Sequence, residues 1–339
     1  MNNINFVLTF IFLNLIFLIF NEKISKIINV YDLPNKRKIH KKKTPLLGGY
    51  IIFVNIILFS ILVFFNVYEF NLINHLFYTK YQYFVFLLAL TIFFLVGAID
   101  DKINLNSNFK LLLLTIIISS ILFLDKSLTI NYLRFSFLDF DIFLGRYSFA
   151  FTALCFLLFI NACNMFDGIN LQSSSYFIIL VFYILNLHNN NIFLVFLLIS
   201  LIIIFKLNLK GKIFMGDSGI YISSFFLSYL IIKNYNINIR INADLIFILM
   251  MLPGIDMLRL FIFRILDKKN PFLPDKNHIH HLLLEKFTYW KTIIIINFAI
   301  IIPILLSLIN FSNLIIIIFF ILIYLISILV LKNKYKKLP

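Results

Sequence analysis

Eleven apolar runs, most of them close to the length that crosses a lipid bilayer, occupy most of this 339-residue chain. They lie at residues 4–20, 48–66, 82–99, 109–124, 148–163, 174–188, 192–206, 219–232, 243–263, 292–309 and 314–331. A transmembrane helix needs about 20 predominantly apolar residues. The pattern therefore predicts an all-α polytopic integral membrane protein with about eleven transmembrane helices, ten being the alternative count.

The composition excludes a water-soluble fold. Hydrophobic residues make up 62% of the chain and charged residues 13%, and the mean hydropathy is +0.99. Soluble domains are much less apolar and more charged. The first run has neither a basic segment before it nor a small-residue cleavage site after it, so we expect it to remain as the first span.

The lysines and arginines are spread unevenly between the connections, and this predicts the orientation. With residues 21–47 placed in the cytoplasm, the cytoplasmic segments carry 23 of the 30 basic residues and the outer segments carry 6, while Arg259 lies in a span. Basic residues are enriched on the cytoplasmic side of membrane proteins. We therefore expect an outer N-terminus and a cytoplasmic C-terminus in a single domain, residues 1–339. Its cytoplasmic parts include the basic loop 21–47, a His-rich loop at 264–291 and a basic tail at 332–339.

Five short polar motifs interrupt the apolar chain, and all five fall on the predicted cytoplasmic side. They are the basic motif with its glycine pair (36–49), the aspartate-pair motif (97–102), the Asn-Asp-Gly motif (161–168), the Gly-Asp segment (214–219) and the histidine motif (274–281). Ionisable side chains beside hydrocarbon are costly, so a cluster of them indicates function. Because they share one side, the five motifs can form one site. The outer acids Asp125, Asp139 and Asp141 show no repeated pattern, and we expect solvated loop charges there.

The aspartates have the chemistry of a magnesium site. Asp217 lies between glycines, which allow a backbone to approach a ligand closely. Mg²⁺ typically takes one or two protein carboxylates and leaves its other positions to water and phosphate. Asp100 and Asp101 end a span, where acids oppose the helix dipole unless a cation lies nearby. A metal or substrate would supply that cation; the alternative is a helix end that simply enters water.

The amides and imidazoles indicate a polar, phosphate-bearing ligand. Asn161 and Asn164 precede Asp167 at helical spacing, so their side chains lie near one face and suit a sugar or nucleotide, a polar helix end being the alternative. The three histidines of the histidine motif have no cysteine nearby and do not match the spacing of a closed zinc site. Imidazoles beside lysines suit phosphate oxygens, although a plain loop is the other interpretation.

Together the motifs resemble a known family, the polyprenyl-phosphate N-acetylhexosamine-1-phosphate transferases of glycosyltransferase family 4. The similar segments are 32–40 with Pro45 and Gly48-Gly49, then 97–101 with Lys110, then 161–168, 214–219 and 271–281. They follow one another in the family's order and cover nearly the whole chain. The His-Ile-His-His form resembles the branch that starts O-antigen, common-antigen or teichoic-acid assembly, rather than the peptidoglycan branch.

The resemblance implies transfer of a sugar 1-phosphate from a UDP-activated amino sugar to undecaprenyl phosphate, giving undecaprenyl-diphospho-sugar and UMP as the first step of a cell-surface glycan. It implies Mg²⁺ as the cofactor, with Mn²⁺ as the alternative. The site would face the cytoplasm at a bacterial inner membrane, with membrane lipids and no nucleic acid as partners, and dimers are common among relatives. The alternatives are the phospho-N-acetylmuramoyl-pentapeptide transferase of peptidoglycan synthesis and, from another class, an ion-coupled transporter. Carriers place their acids near the membrane midplane rather than at cytoplasmic helix ends.

The resemblance also assigns roles to residues. Asp100, Asp101 and Asp167 would be catalytic, and Asp217 with Asp101 would hold the metal. The substrate-binding residues would be Lys36, His40, Lys110, Asn161, Asn164, Asn170, His278, His280 and His281.

Three positions depart from the family's pattern. Relatives commonly read Asp-Gly-x-Asp-Gly-Leu where this chain has Asn170 and Leu171 in place of the second Asp-Gly. Asn170 can still coordinate or hydrogen-bond, but it cannot act as a base. Ile220 stands where serine is usual. These changes are typical of an altered sugar pocket, the alternative being a weakened enzyme.

Overall fold

A computed structural model describes residues 3–34, 42–64, 77, 79–187, 192–237, 241–271 and 275–332. Within them the chain is almost entirely helical, and each apolar run coincides with one long helix. The helices are α1 (Asn3–Ile28), α2 (Gly48–Phe64), α3 (Lys80–Ile103), α4 (Ser107–Leu124), α5 (Ser148–Phe166), α6 (Gln172–Leu187), α7 (Ile192–Leu209), α8 (Gly216–Ile237), α9 (Ala243–Leu266), the short α10 (Ile279–Leu284), α11 (Tyr289–Leu308) and α12 (Asn313–Lys332).

Seven helices in the described part of the chain are long and apolar enough to cross a membrane, namely α3, α4, α5, α7, α9, α11 and α12. Two more, α2 and α6, are apolar but shorter. The all-α polytopic membrane fold predicted from the sequence is therefore confirmed. The count of eleven spans and the outer N-terminus stay predictions.

Besides two short 3-10 helices at Lys126–Leu128 and Gly145–Tyr147, the described residues form two small antiparallel hairpins. The first pairs β1 (Tyr31–Asp32) with β2 (Thr44–Pro45), which lies within the basic motif before its glycine pair. The second pairs β3 (Tyr132–Leu133) with β4 (Ile142–Phe143) at the opposite end of the helices. The hairpins order the connections without forming a sheet core.

Helix α8 is the centre of the bundle. Every residue from 218 to 235 is buried, and the helix packs against α2, α3, α5 and α6. Aromatic rings fill the contact with α3, where Phe93 and Phe225 stack with centroids 4.4 Å apart. A helix that is buried on all sides must be surrounded by other helices. Its N-terminus, which carries the Gly-Asp segment, is therefore held in a fixed place.

Glycines let two helices approach the start of α8 closely. A Cβ at Gly48 would lie 2.6 Å from the backbone of Met215, and a Cβ at Gly97 would lie 2.8 Å from the carbonyl carbon of Asp217. Small residues at such contacts allow membrane helices to pack backbone to backbone. The Phe214 amide also donates to the Pro45 carbonyl at 2.9 Å. The first, second and fourth polar motifs therefore form one packed unit.

The far end of α8 corrects one expectation. Asp125 is buried rather than solvated, because it pairs with the buried Lys233 at 3.6 Å and accepts a 2.9 Å hydrogen bond from the Tyr229 hydroxyl. Asp139 and Asp141 are exposed, as expected. The buried pair ties the connection after α4 to α8, a contact that local sequence does not reveal.

Candidate active site

Asp101 caps the central helix from a neighbouring helix. Its Oδ1 accepts from the Asp217 amide at 2.7 Å, and its Oδ2 accepts from the Ser218 amide at 3.1 Å and hydroxyl at 2.6 Å. A carboxylate at this place satisfies unpaired N–H groups of the first turn and interacts favourably with the helix dipole. Gly216 adopts a φ of +72°, and a Cβ there would lie 2.8 Å from Asp101 Oδ2. The cap therefore explains why a glycine precedes Asp217.

Asp100 lies beneath this cap and anchors a lysine. Its carboxylate is 1% exposed, forms an ion pair with Lys110, and accepts from the Leu105 amide at 2.9 Å and the Tyr221 hydroxyl at 3.3 Å. The Lys110 Nζ also lies 3.6 Å from Asp217 Oδ2. One ammonium group therefore links the aspartate pair to the Gly-Asp segment.

An open cavity of about 910 Å³ lies in front of these groups. It is within the size range of sites that hold small molecules and cofactors. Its lining includes Asp101, Asp167, Asn170, Asp217 and His281, which come from four of the polar motifs and the residues next to them. The fold therefore gathers at one cavity acids and an imidazole that are up to 180 positions apart in the chain.

Asp167 ends α5 and opens onto the cavity. The residue is exposed toward the cavity, yet desolvation by the surrounding protein, with Asp101 and Asp32 as further negative charges, raises the pKa of its carboxyl to about 6. The low-dielectric surroundings disfavour the charged form, and the nearby acids add to this. The carboxyl therefore sits where a bound cation would be strongly attracted.

The turn after Asp167 is held by two side chains from distant helices. Leu171 has a φ of +70°, and its amide donates to Asn208 Oδ1 at 2.5 Å. The Asn208 amide group then donates to the Ile213 carbonyl at 2.8 Å, just before the Gly-Asp segment. The Tyr289 hydroxyl donates to the Asn170 carbonyl at 2.7 Å. Asn170 and Leu171, which differ from the family's usual pattern, thus lie in the cavity wall and are held between α7 and α11.

The three histidines of the histidine motif have different surroundings. His278 is buried, and its Nδ1 lies 2.9 Å from Asp256 Oδ2. His280 is 1% exposed and lies against Gly168, where an added Cβ would overlap its ring. Only His281 of the three lines the cavity. Burial lowers the pKa of both His280 and His281, with the neighbouring imidazoles adding to the effect. Both rings are therefore harder to protonate than an imidazole in water.

Several predicted site residues lie away from the cavity lining. Asn161 donates to the Leu157 carbonyl of its own helix at 2.8 Å, and the Asn164 carbonyl accepts from the Asp167 amide at 3.3 Å. Both hydrogen bonds lie in the last part of α5. Lys36 and His40 lie outside the described residues. The roles assigned to all of these side chains stay predictions.

Sequence reasoning missed two kinds of residue. Lys102 and Lys276 line the cavity, and their position beside predicted motifs was the available signal. Asp256 and Arg259 lie inside the apolar length of α9 and contact the histidine motif. Opposite charges three residues apart lie on one helix face, so this pair was detectable in the sequence.

The donor set is compatible with a hard divalent cation. Among the described residues no three His, Cys, Asp or Glu side chains converge as a metal cluster. Mg²⁺ does not require one, because it commonly takes one or two carboxylates plus water and phosphate. The Asp217 side chain is 31% exposed and lines the cavity with Asp167. Both oxygens of Asp101 already accept hydrogen bonds, so the open carboxylates of Asp217 and Asp167 fit best.

Comparison with known proteins points to one family. Residues 83–235 match glycosyl transferase family 4. The undecaprenyl-phosphate alpha-N-acetylglucosaminyl 1-phosphate transferase of Escherichia coli (strain K12) is 24% identical over 297 residues, which cover 84% of this chain and 77% of that protein. The enzyme of the same name from Thermotoga maritima is 26% identical over 268 residues, covering 78% and 76%. That of Yersinia pestis is 26% identical over 306 residues, covering 86% and 80%.

The matched region contains the aspartate pair, the Asn-Asp-Gly motif and the Gly-Asp segment, which are three of the motifs that line the cavity. The alignments to the relatives extend over more than three quarters of the chain. This chain is therefore similar to glycosyl transferase family 4 over residues 83–235 and to these transferases over most of its length.

Proposed function

We propose that this protein transfers a sugar 1-phosphate of the N-acetylhexosamine type from a UDP-sugar to undecaprenyl phosphate, forming undecaprenyl-diphospho-sugar and UMP. The observation that carries the proposal is the convergence of Asp101, Asp167 and Asp217 on one cavity with His281 and Lys276. Acids that can hold a cation, together with basic side chains, suit a diphosphate. The relatives named above are transferases of this kind.

The chemistry requires positioning and charge neutralisation more than covalent participation by the protein. An oxygen of the lipid phosphate attacks the sugar-linked phosphorus, the bond to the bridging oxygen breaks, and UMP leaves. Mg²⁺, or Mn²⁺ in its place, would neutralise negative charge on the diphosphate when held by Asp217 and Asp167. Both carboxylates line the cavity, and unlike those of Asp101 their oxygens are not taken up by the amides at the start of α8.

The other site residues hold this arrangement in place. Asp101 fixes the first turn of α8 and hence the backbone of Asp217. Asp100 holds Lys110, whose ammonium lies 3.6 Å from Asp217 Oδ2 and can turn toward a phosphate oxygen. Because Asp100 is buried beneath the cap, it acts through Lys110 rather than on the lipid phosphate directly. His281 and Lys276 supply hydrogen-bond donors at the opposite wall.

The setting favours a lipid acceptor and a water-soluble donor. The long apolar helices indicate that the cavity belongs to a membrane protein. Undecaprenyl phosphate is a lipid of the surrounding membrane. The uneven distribution of basic residues supports a cytoplasmic position for the cavity at the bacterial inner membrane. A UDP-activated amino sugar would enter from the cytoplasm, and the product would start a cell-surface glycan. N-acetylglucosamine is the default sugar, and 6-deoxy amino sugars are the alternatives.

The test is an assay of membranes that carry this chain with undecaprenyl phosphate and a panel of UDP-sugars, measuring UMP release and the lipid product. The panel includes the muramyl-pentapeptide donor of peptidoglycan synthesis. We expect activity with an N-acetylhexosamine donor; activity with the pentapeptide donor alone would support the peptidoglycan alternative instead. If none of the donors in the panel gave activity, the proposal would be refuted.

Substitution of one carboxylate tests the metal site. We expect Asp217→Asn to abolish Mg²⁺-dependent formation of the lipid product, because it removes a cavity-facing charge. The matched control is Asp267→Asn, since Asp267 is 60% exposed and pairs only with the exposed Lys269 at 3.1 Å among the contacts described for it. Full activity of Asp217→Asn would show that the metal is held elsewhere.

A further inference from the structure

Helix α9 carries a buried carboxylate within its apolar length. Asp256 is 2% exposed and does not belong to the cavity lining. A charged group inside a membrane-spanning helix is costly unless it is paired and hydrogen-bonded. Its partners therefore indicate what the charge is used for.

Asp256 binds four groups, two of which belong to the histidine motif. Its Oδ1 accepts from Arg259 Nη2 at 2.8 Å and from the Tyr324 hydroxyl at 2.7 Å. The same oxygen accepts from the Ile279 amide at 3.1 Å, and Oδ2 lies 2.9 Å from His278 Nδ1. One carboxylate thus joins α9 and α12 to the start of α10.

Arg259 strengthens the same attachment. Its Nη2 also donates to the Asn277 carbonyl at 2.6 Å, and its Nε donates to the Tyr324 hydroxyl at 2.6 Å. Three consecutive residues of the histidine motif, 277 to 279, are therefore fixed by two side chains that lie one helical turn apart on α9. Charge-assisted bonds of this kind are shorter and stronger than neutral ones.

Helix α10 needs an external anchor because it has only six residues. Helices of this length are not stable alone, since nucleation costs more than a single turn returns. The N-cap residue of α10 is His278, and its side chain does not cap the first turn. The Asp256 carboxylate does so instead by accepting from the Ile279 amide. His281 lies in that first turn, where its amide donates to the His278 carbonyl at 3.0 Å.

The second contact of α10 is with the Asn-Asp-Gly motif. His280 lies so close to Gly168 that a Cβ there would overlap its ring, and Gly168 follows Asp167. Helix α10 is therefore held between Asp256 on one side and the Asp167 turn on the other. This leaves His281 as the imidazole of the three that lines the cavity.

We propose that Asp256 is a positioning residue of the active site: it fixes His278 and the first turn of α10 so that His281 faces the cavity. It does not contact substrate. The identity of the reaction affected rests on the proposed function, whereas the geometric effect does not. Displacement of a reacting or binding group by about 1 Å can cost about 100-fold in rate.

The first test needs no turnover. In the purified full-length protein, modification of each histidine by diethyl pyrocarbonate is followed by mass spectrometry. We expect His281 to react and His278 and His280 to be protected in the wild type. In Asp256→Asn the two protected rings should react as fast as His281. Unchanged protection would overturn the proposal.

Two further variants keep this test decisive. Asp256→Glu retains the charge but displaces the carboxylate, so it guards against failure of Asp256→Asn to fold, and it should also expose His278. The matched control is Tyr324→Phe, which removes one donor to the same carboxylate oxygen and the acceptor of Arg259 Nε but leaves the Asp256 contacts with His278 and Ile279 in place. If Tyr324→Phe exposed the histidines equally, the effect would be general loosening and the proposal would be wrong.

The second test connects Asp256 to catalysis by a double-mutant cycle on kcat/KM. We expect Asp256→Asn and His281→Gln each to lower kcat/KM by about 100-fold, and the double variant to be no more than about threefold worse than either, because both remove one function. If the loss in kcat/KM of the double variant were the product of the two single losses, Asp256 would not act through His281. A wild type inactive with every donor would refute the proposed function, while histidine protection would still decide the positioning role.

Discussion

Leu171 allows a stability prediction in which the usual order of alanine and glycine is reversed. The residue has a φ of +70° and is buried. The left-handed conformation costs an L-residue roughly 1–2 kcal/mol, which glycine avoids. Glycine in turn loses about 0.5–1 kcal/mol relative to alanine through its greater freedom in the unfolded chain. We therefore expect Leu171→Gly to be more stable than Leu171→Ala by about 1 kcal/mol.

Both variants also remove the buried isobutyl group, which costs about 2–5 kcal/mol for a core leucine. This loss is shared, so the difference between the two variants isolates the backbone. The measurement is equilibrium unfolding of each purified variant in mixed detergent and SDS, followed by far-UV circular dichroism. The control pair is Ser120→Gly and Ser120→Ala in the interior of α4, where the normal order should hold, with glycine less stable by about 1 kcal/mol.

The reasoning would be refuted if Leu171→Ala were as stable as Leu171→Gly or more so. That result would mean that the backbone at this position relaxes without strain. In this chain the left-handed conformation of Leu171 is stabilised by burial of its side chain and by the hydrogen bond from its amide to Asn208.

Two further predictions follow from contacts around the site. Gly97→Ala should prevent correct packing, because its Cβ would meet the backbone of the first turn of α8. The control Gly254→Ala should be tolerated, because no atom lies within 4 Å of the added Cβ. The folded yield after size-exclusion chromatography measures both effects, and equal yields of the two variants would contradict the close contact at Gly97. Desolvation by the surrounding protein and the nearby acids Asp101 and Asp32 raise the pKa of Asp167 from 3.8 to about 6, so its contribution to stability should be fully present below pH 3.8 and lost as the pH rises through about 6. Without divalent ions, Asp167→Asn should remove that dependence and raise the unfolding midpoint at pH 8; an unchanged pH profile would show that the pKa of this carboxyl is not raised in the folded protein.

The sequence could predict the helices and the convergence of the aspartates because both depend on repeated local patterns. Each apolar run became one helix, and the prediction that the motifs share one side of the membrane anticipated the meeting of Asp101, Asp167 and Asp217 at one cavity. The physical reason is that a bilayer allows few arrangements for apolar runs, so polar groups at their ends collect at the same surface.

Residue identity alone could not separate the roles of neighbouring side chains. His278, His280 and His281 have the same chemistry in the sequence, yet tertiary contacts bury the first two and leave the third at the cavity. Asp125 resembled a solvated loop acid until its pairing with Lys233 placed it in the core. Such outcomes depend on partners that lie 22 positions away for His278, 108 for His280 and 104 for Asp125, which hydrophobic periodicity cannot identify.

The central claim is transfer of a sugar phosphate, and the fate of the two donor phosphorus atoms tests it most directly. Membranes that carry this chain would receive undecaprenyl phosphate and a UDP-sugar labelled at either the uridine-linked or the sugar-linked phosphorus. We predict that the sugar-linked label enters the lipid product while the uridine-linked label leaves as UMP. Release of UDP carrying both labels would show transfer of the sugar alone and contradict the account.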